Sequence, residues 1–132
     1  MAMVAPAQAT SKRFGPNDIC TITANLSNKL KGGDQIASHG RVTCGAPDTF
    51  NYQKLTVSIE LRYCGRDPGC LDGTSVSGNS RTVEGPSDVK TRALANCKRG
   101  YWRAYVTGEV VSDAGTFHSR IRSPIRHFDS CQ

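Results

Sequence analysis

Six cysteines in 132 residues constrain the fold of this chain more than any other feature of its sequence. Their number is even, and disulfide bonds persist mainly in oxidising compartments outside the cytoplasm. The cysteines therefore predict a secreted domain held together by three bridges. Many pairings are possible on paper, but the turn signals between the cysteines narrow the choice.

The first hairpin pattern lies in the N-terminal third of the chain. Cys20 and Cys44 are symmetric about Gly32, the first glycine of a Lys-Gly-Gly-Asp turn signal. An antiparallel hairpin centred there sets Ile22 opposite Val42 and makes one face apolar and the other polar. We therefore predict a Cys20–Cys44 bridge that closes the open end of this hairpin.

A second hairpin pattern surrounds a Ser-Asp-Ala-Gly turn in the C-terminal third of the chain. Cys97 and Cys131 are symmetric about that turn, which predicts a Cys97–Cys131 bridge. The apolar faces of the two strands meet in a register that pairs Val106 with Ile121. The cysteines miss this register by one residue, which a β-bulge or an irregular strand end near Pro124 would absorb.

The remaining two cysteines, Cys64 and Cys70, flank the sequence Gly-Arg-Asp-Pro-Gly. They follow the clearest half-buried strand pattern in the chain, in which apolar and polar residues alternate over 54–63. A short turn rich in Gly and Pro can bring two cysteines within bridging distance, so we predict a Cys64–Cys70 disulfide. Zinc and thiol-redox sites use more closely spaced cysteines, as in C-x-x-C, so no metal and no cofactor is expected.

Strand patterns recur along most of the chain. Candidate strands lie at 19–27, 35–44, 53–64, 74–83, 88–97, 100–111 and 116–128. They predict an all-β domain, an antiparallel immunoglobulin-like β-sandwich of about seven strands stapled by three local disulfides. An open barrel is the alternative fold. We place this domain at residues 19–132.

The first 18 residues differ from the rest of the chain. Residues 1–9 end in an Ala-Gln-Ala pattern typical of signal-peptidase cleavage, so we interpret them as the remnant of an export signal or as a leader. Residues 10–18 lack strand alternation and contain Lys12, Arg13 and Phe14, which indicates a flexible basic N-terminal arm. A partner would order this arm, with Phe14 as its apolar anchor. No apolar run reaches the ~20 residues that span a membrane.

The chain is basic, with 17 Lys and Arg residues against 11 Asp and Glu residues and a formal net charge of +6. On the predicted C-terminal hairpin, the polar faces of both strands combine tyrosines with arginines. These residues are Tyr101, Arg103, Tyr105, Arg120, Arg122 and Arg126. Tyr and Arg are enriched at the energetic centres of protein interfaces, so this face is a candidate partner-binding surface. The alternative is a solvated sheet face on which arginine stems cover the tyrosine rings.

The sequence contains no G-x-S-x-G elbow, no H-E-x-x-H motif and no phosphate-binding glycine loop. We therefore predict a secreted, non-enzymatic domain that binds a protein partner. One alternative is a secreted inhibitor of trypsin-like proteases that acts through Arg66 on the disulfide-closed loop or through Arg13 of the arm. A third is a small secreted hydrolase. Nucleic acid is not expected as a partner, because acidic residues are dispersed among the basic ones and export is predicted.

The mature chain as a whole resembles the small secreted, disulfide-stapled β-sandwich proteins of actinomycete bacteria. The resemblance rests on the Ala-Pro-Ala-Gln-Ala segment, the first cysteine after a short arm, and the closing sequence GYWRAYVTGEVVSDAGTFHSRIRSPI. Within that group it is similar to the adaptor subunits of umbrella toxin particles. The resemblance implies an adaptor in a toxin complex that links a trypsin-like subunit to a large repeat-containing toxin polypeptide. It also implies that residues 10–16 insert into the cleft of the trypsin-like partner.

Overall fold

The computed structural model describes residues 9–27, 30, 34–45, 49–71, 73–85 and 88–131. The strands are β1 (Ala9–Phe14), β2 (Cys20–Leu26), β3 (Gln35–Cys44), β4 (Tyr52–Gly65), β5 (Thr74–Glu84), β6 (Asp88–Asn96), β7 (Gly100–Ser112), β8 (Gly115–Arg122) and β9 (Arg126–Phe128). A short 3-10 turn, Pro16–Asp18, joins β1 to β2. Every strand pairing is antiparallel, which confirms the predicted all-β class.

The strands form two sheets that enclose one core, as a β-sandwich does. One sheet has the order β1-β2-β3-β6, and the other has the order β5-β4-β7-β8, with β9 paired to β7 beyond the end of β8. The described residues thus contain nine strands rather than about seven. The two additional strands are β1, from the segment predicted to be an arm, and β9, which an irregular stretch separates from β8.

The core follows from the alternation of side chains along each strand, because every second residue points to the same side of a sheet. The largest fully buried apolar side chains are Trp102, Ile22, Leu26, Ile36, Leu55, Leu61, Val42, Val57, Val106 and Val110. The two sheets pack tightly against each other at Gly108 of β7. A Cβ at Gly108 would lie 2.7 Å from Cγ2 of Val42 and 3.0 Å from Cδ1 of Ile22, so the packing leaves room only for glycine.

All three predicted disulfides are present, and none of the six cysteines is free. Cys20 lies opposite Cys44 in the register of β2 and β3, and Ile22 lies opposite Val42 as predicted. The turn at 31–33, on which this predicted register is centred, lies outside the described residues. The second bridge closes the turn after β4, and the third joins the segment before β7 to the residues after β9.

The C-terminal hairpin contains the one-residue shift that its cysteine positions predict. Strand β8 pairs Val106 with Ile121, whereas β9 pairs Trp102 with Arg126, which is one residue out of the first register. Cys97 and Cys131 lie in the same register as the residue pairs of β7 and β9. The prediction of an irregular strand end that absorbs the shift is therefore confirmed.

Ser123 stabilises the backbone at this shift. Its N–H donates to the carbonyl oxygen of Ala104 at 2.8 Å, and its Oγ accepts from the N–H of Ala104 at 2.9 Å. The side chain of Ser123 is fully buried. The serine hydroxyl thus accepts the hydrogen bond that a backbone carbonyl would accept in a regular strand pair, so the N–H of Ala104 keeps a partner.

Strand β1 corrects the interpretation of residues 10–18 as a flexible arm outside the sandwich. Ala9–Phe14 pairs along its whole length with residues 20–25 of β2. Phe14 is only 6% exposed and belongs to the core, so it cannot anchor a partner without leaving the fold. The alternation is hard to recognise in the sequence because the inward positions of β1 include Lys12, which lies at the open edge of the sandwich.

Candidate functional site

A tyrosine and several arginines lie together on the outer face of the β5-β4-β7-β8 sheet. Outward side chains of neighbouring strands lie side by side, so the register determines which of them meet. Tyr105 of β7 lies opposite Glu60 of β4 and Arg122 of β8, and Arg103 lies opposite Arg62. We call the following outward side chains the Tyr/Arg face: Glu60, Arg62, Arg103, Tyr105, Arg120 and Arg122.

The ring of Tyr105 is held in place from β4. The guanidinium carbon of Arg62 lies 4.2 Å from the centroid of that ring, within the range of a cation–π contact. The same guanidinium donates through Nε to Oε1 of Glu60. Because these side chains are already positioned, a partner would have to order fewer groups when it binds.

Arg103 lies beside this group and is half-buried. Its Nε donates to the carbonyl oxygen of Ser123 at 2.9 Å, so its position depends on the irregular stretch between β8 and β9. Burial, followed by the positive charge of Arg122, lowers the pKa of Arg103 below its ordinary value. An arginine nevertheless stays protonated in a protein, so Arg103 adds to the positive charge of the face.

The Tyr/Arg face contains a shallow depression of about 740 Å³. It is lined by Ser58, Ile59, Glu60, Arg62, Tyr105, Thr107, Arg120, Ile121 and Arg122. Arg120 and Arg122 are exposed, and neither forms an ion pair with a residue in the described ranges. The four arginines of the face share a single glutamate, which Arg62 already engages, so the face is positively charged.

The positive charge ends two outward positions beyond Tyr105 along β7, at Glu109. The carboxylate of Glu109 lies 2.9 Å from Nε2 of His118 and 3.7 Å from Nζ of Lys54. These contacts balance the charge at that end of the sheet. The basic patch around Tyr105 therefore ends at Glu109 in this direction along the sheet.

The structure brings together four of the six hairpin residues that the sequence predicts as a binding surface. These four are Arg103, Tyr105, Arg120 and Arg122. Tyr101 lies at the far end of the sheet, where its ring stacks on His127 with the centroids 4.3 Å apart.

The prediction that Arg126 shares this face is wrong. Arg126 lies opposite Trp102, on the inner side of the sheet, and its Nε donates to the carbonyl oxygen of Leu26 at 3.2 Å. The reason is the one-residue shift before β9, because a shift of one residue turns a side chain to the other face.

The contribution of β4 to the face is what the sequence analysis misses. The alternation over 54–63 places Glu60 and Arg62 on a polar strand face, but it does not indicate which strand lies beside them. Strands β5 and β6 separate β4 from β7 along the chain, so no turn sets their register. The sequence pattern of β4 therefore predicts a half-buried strand but not its neighbours in the sheet.

The three N-terminal residues predicted to bind a partner do not form one site. Phe14 is in the core, and Arg13 points away from the core on the outer side of the β1-β2-β3-β6 sheet. Lys12 lies in a groove between β1 and β8, together with His118 and Arg120. Of the three residues, only Lys12 adds positive charge beside the Tyr/Arg face.

Arg66 lies on the loop that the bridge after β4 closes. The N–H of Asp67 donates to the carbonyl oxygen of Cys64 at 3.1 Å, so Arg66 occupies a corner of a β-turn, where it is exposed. The carboxylate of Asp67 accepts from the backbone N–H groups of Gly69 at 3.0 Å and Leu71 at 3.1 Å. The loop is therefore compact and internally hydrogen-bonded.

The loop around Asp67 should lose these hydrogen bonds in acid. The N–H groups of Leu71 and Gly69 lower the pKa of the Asp67 carboxyl below its ordinary value. A carboxyl with a lowered folded-state pKa stabilises the loop above its unfolded-state pKa, and this stabilisation is lost as the pH falls through the folded-state pKa. The amide chemical shifts of Gly69 and Leu71, followed by NMR from about pH 5 to about pH 2, should therefore titrate together.

The variant Asp67→Asn is the control for this titration, because its side-chain amide does not ionise over that range. The two amide signals should be insensitive to pH in the variant. Signals that titrate equally in both proteins would contradict the role assigned to Asp67.

Within the described part of the chain, no group of three or more His, Cys, Asp or Glu side chains is arranged to hold a metal ion. No helix found there is long and apolar enough to cross a membrane. Comparison with known proteins finds no family model and no curated protein that matches the chain.

Proposed function

We propose that this chain is an exported, non-enzymatic protein-binding domain whose Tyr/Arg face binds an acidic surface of a partner protein. The observation that carries the proposal is the depression around Tyr105, where the arginines of the face outnumber its one glutamate. Tyrosine and arginine are frequent among the residues that dominate binding energy at interfaces. A complementary charge would speed the encounter with an acidic partner and set its orientation.

The three disulfides support export, because such bridges persist mainly in oxidising compartments. They also support a role as an adaptor or structural subunit of an extracellular assembly. A cross-linked sandwich presents its outer faces without first having to order them, which lowers the cost of association. A single domain of this kind can hold one partner on one face and leave its other face accessible.

An antibacterial toxin complex, with a trypsin-like subunit and a large repeat-containing toxin polypeptide, is one assembly of this kind. This part of the proposal rests only on the resemblance of the chain to adaptor subunits described above. The binding mode implied by that resemblance has to change, because residues 10–14 cannot enter a cleft while they are paired with β2. The Tyr/Arg face replaces that segment as the proposed contact surface.

Inhibition of trypsin-like proteases through Arg66 is the second candidate function. An exposed arginine on a disulfide-closed loop favours it, since a pre-formed loop loses little conformational entropy on binding. The β-turn at Arg66 disfavours it, because a segment that pairs with an enzyme cleft as a strand must be extended. Incubation with trypsin separates the two functions: stoichiometric suppression of activity indicates an inhibitor, and unchanged activity indicates a binding domain.

Replacing Tyr105 and Arg122 together with alanine should reduce partner capture at least about tenfold, as expected for the centre of an interface. Both side chains lie on the outer face, so the free energy of unfolding should change by less than about 1 kcal/mol. Immobilised wild-type and variant chains would be incubated with culture medium of the source organism. Quantitative mass spectrometry of the retained proteins and thermal unfolding of each chain give the two readouts.

The matched control is the double variant Arg13→Ala, Thr21→Ala on the outer side of the other sheet. It also removes one positive charge, and its two residues lie opposite each other on β1 and β2. The control should capture the same proteins as the wild type. Equal capture by all three chains would contradict the proposal, and unfolding of the Tyr105 and Arg122 variant would contradict the assignment of these residues to the outer face.

A further inference from the structure

A second concentration of positive charge lies where the edge strands of the two sheets meet. Strand β5 is an edge of one sheet and β6 is an edge of the other. The side-chain amide of Asn79 in β5 donates to the carbonyl oxygen of Arg92 in β6 at 3.2 Å, which joins the two edges. A groove of about 320 Å³ lies along this junction, and it is lined by His39, Asn79, Ser80, Arg81, Lys90, Thr91 and Arg92.

None of the described residues that line this groove is acidic. Arg81, Lys90 and Arg92 form no ion pair within the described ranges, and all three are exposed. The carboxylate nearest in sequence, Asp88, accepts hydrogen bonds through both oxygens from Arg41, at 2.8 Å and 3.0 Å. We call His39, Arg81, Lys90 and Arg92 the basic corner.

The sheet register places Lys90 directly opposite Arg41, and Arg92 directly opposite His39. Arg41 is paired with Asp88, so the cations that line this groove without an ion-pair partner in the described ranges are Arg81, Lys90 and Arg92. A bound anion would supply the negative charge that the lining of the groove lacks.

Arg81 alone has a simpler explanation. It lies opposite Val57, on the core-facing side of the edge strand β5, and an inward charge on an edge strand prevents edge-to-edge aggregation. This explanation does not extend to Lys90 and Arg92, which belong to the other sheet. The convergence of charge from both sheets on one groove is what points to a ligand.

We propose that the basic corner binds a tetrahedral oxyanion, the sulfate or phosphate group of a linear anionic glycan. Guanidinium groups donate two parallel hydrogen bonds to such an oxyanion, and the ammonium of Lys90 adds a point charge. The lining contains no aromatic side chain on which a nucleic-acid base could stack. It also lacks the large apolar or aromatic side chains that anchor protein interfaces, so charge is the means of recognition.

Binding would be tested by titrating the wild-type chain with a heparin dodecasaccharide, as the probe of a sulfated glycan, at several salt concentrations. The variant Arg81→Gln, Lys90→Gln, Arg92→Gln should bind at least about tenfold more weakly, and the slope of log affinity against log salt should fall by about 2–3. The control Arg13→Gln, Arg66→Gln, Arg99→Gln removes the same charge from exposed positions elsewhere. It should stay within about threefold of the wild type, since exposed charges at a distance are screened.

Equal losses in the two triple variants would overturn the proposal, because binding would then follow net charge alone. Free sulfate or phosphate binding as tightly as the dodecasaccharide would overturn the assignment to a glycan, and so would a DNA duplex of similar charge. The Tyr/Arg face is intact in both variants, so partner capture tests the proposed protein-binding function separately.

NMR amide chemical shifts of the wild-type chain give a second test, which does not require the basic-corner variant to fold. On addition of the dodecasaccharide, the shifts of residues 79–81 and 90–92 should move before those of any other segment. Perturbation centred elsewhere would overturn the proposal.

Discussion

Replacing Trp102 with alanine is expected to lower the free energy of unfolding by about 3–5 kcal/mol. Trp102 is only 1% exposed, and its ring lies between the sheets, 4.9 Å from the ring of Tyr63. Its indole N–H also donates to the carbonyl oxygen of Lys98 at 2.9 Å. The substitution would open a cavity at the end of the core and leave that carbonyl without its partner, which urea-induced unfolding would measure.

Two further variants test whether the loss of stability comes from the buried ring of Trp102. Trp102→Phe keeps most of the apolar volume and removes the hydrogen bond, so it should cost less than the alanine variant. Tyr105→Ala, on the outer face of the same strand, should cost much less than either. A Trp102→Ala chain that unfolds at the wild-type urea concentration would show that the assignment of this ring to the core is wrong.

Removing the Cys97–Cys131 bridge, by changing both cysteines to alanine, is expected to cost about 3–4 kcal/mol of stability. Removing Cys64–Cys70 in the same way is expected to cost about 2 kcal/mol, because the loop that it closes is much shorter. The sequence separations of the two bridges are 34 and 6. Urea unfolding of the two double variants, compared with the wild type, measures the difference.

This order of effects is expected if a bridge stabilises the fold by reducing the conformational entropy of the unfolded chain, because a longer loop loses more entropy when it is closed. Non-reducing peptide mapping of each variant would first establish that the other two bridges are intact. A larger loss of stability from removing Cys64–Cys70 than from removing Cys97–Cys131 would contradict this expectation. It would indicate that local packing around the cysteines dominates. The Cys20–Cys44 variant should behave like the Cys97–Cys131 variant, since its separation is 24.

The hairpins of this fold can be predicted from the sequence because the determinants of their register are local. Cys20 and Cys44 are equidistant from a glycine turn, and the side chains between them alternate in the same register. The mismatch between the cysteine and apolar registers of the C-terminal hairpin likewise predicts the irregular stretch near Pro124. In both hairpins, turn position and alternation lead to the same pairing.

Features that depend on distant parts of the chain are harder to predict. Strand β1 has a lysine at an inward position, which the open edge of the sandwich accommodates, so its strand pattern is weak. Arg126 turns to the inner side because the register shift falls just before it. Neither outcome follows from local propensity or spacing.

The contacts of the candidate site likewise differ in how far the sequence predicts them. The pairing of Tyr105 with Arg122 follows from the register of one hairpin, and the structure confirms it. The cation–π contact of Arg62 with Tyr105 depends on the pairing of β4 with β7, which two intervening strands separate along the chain. A single sequence contains no local signal for that contact.

The Cys97–Cys131 bridge also determines how the domain would carry a mechanical load. A pull on the chain beyond Cys131 passes through the covalent bridge to Cys97, so β7, β8 and β9 lie outside the path of the force. From Cys97 the tension enters β6, an edge strand that is paired with β3. A pull at Ala9 meets the hydrogen bonds between β1 and β2 and the buried ring of Phe14 before it reaches the Cys20–Cys44 bridge. Under tension, a tether made of this domain would therefore yield first at the edge strands β1 and β6, and β7 and β8, which carry Tyr105 and Arg122, would keep their pairing.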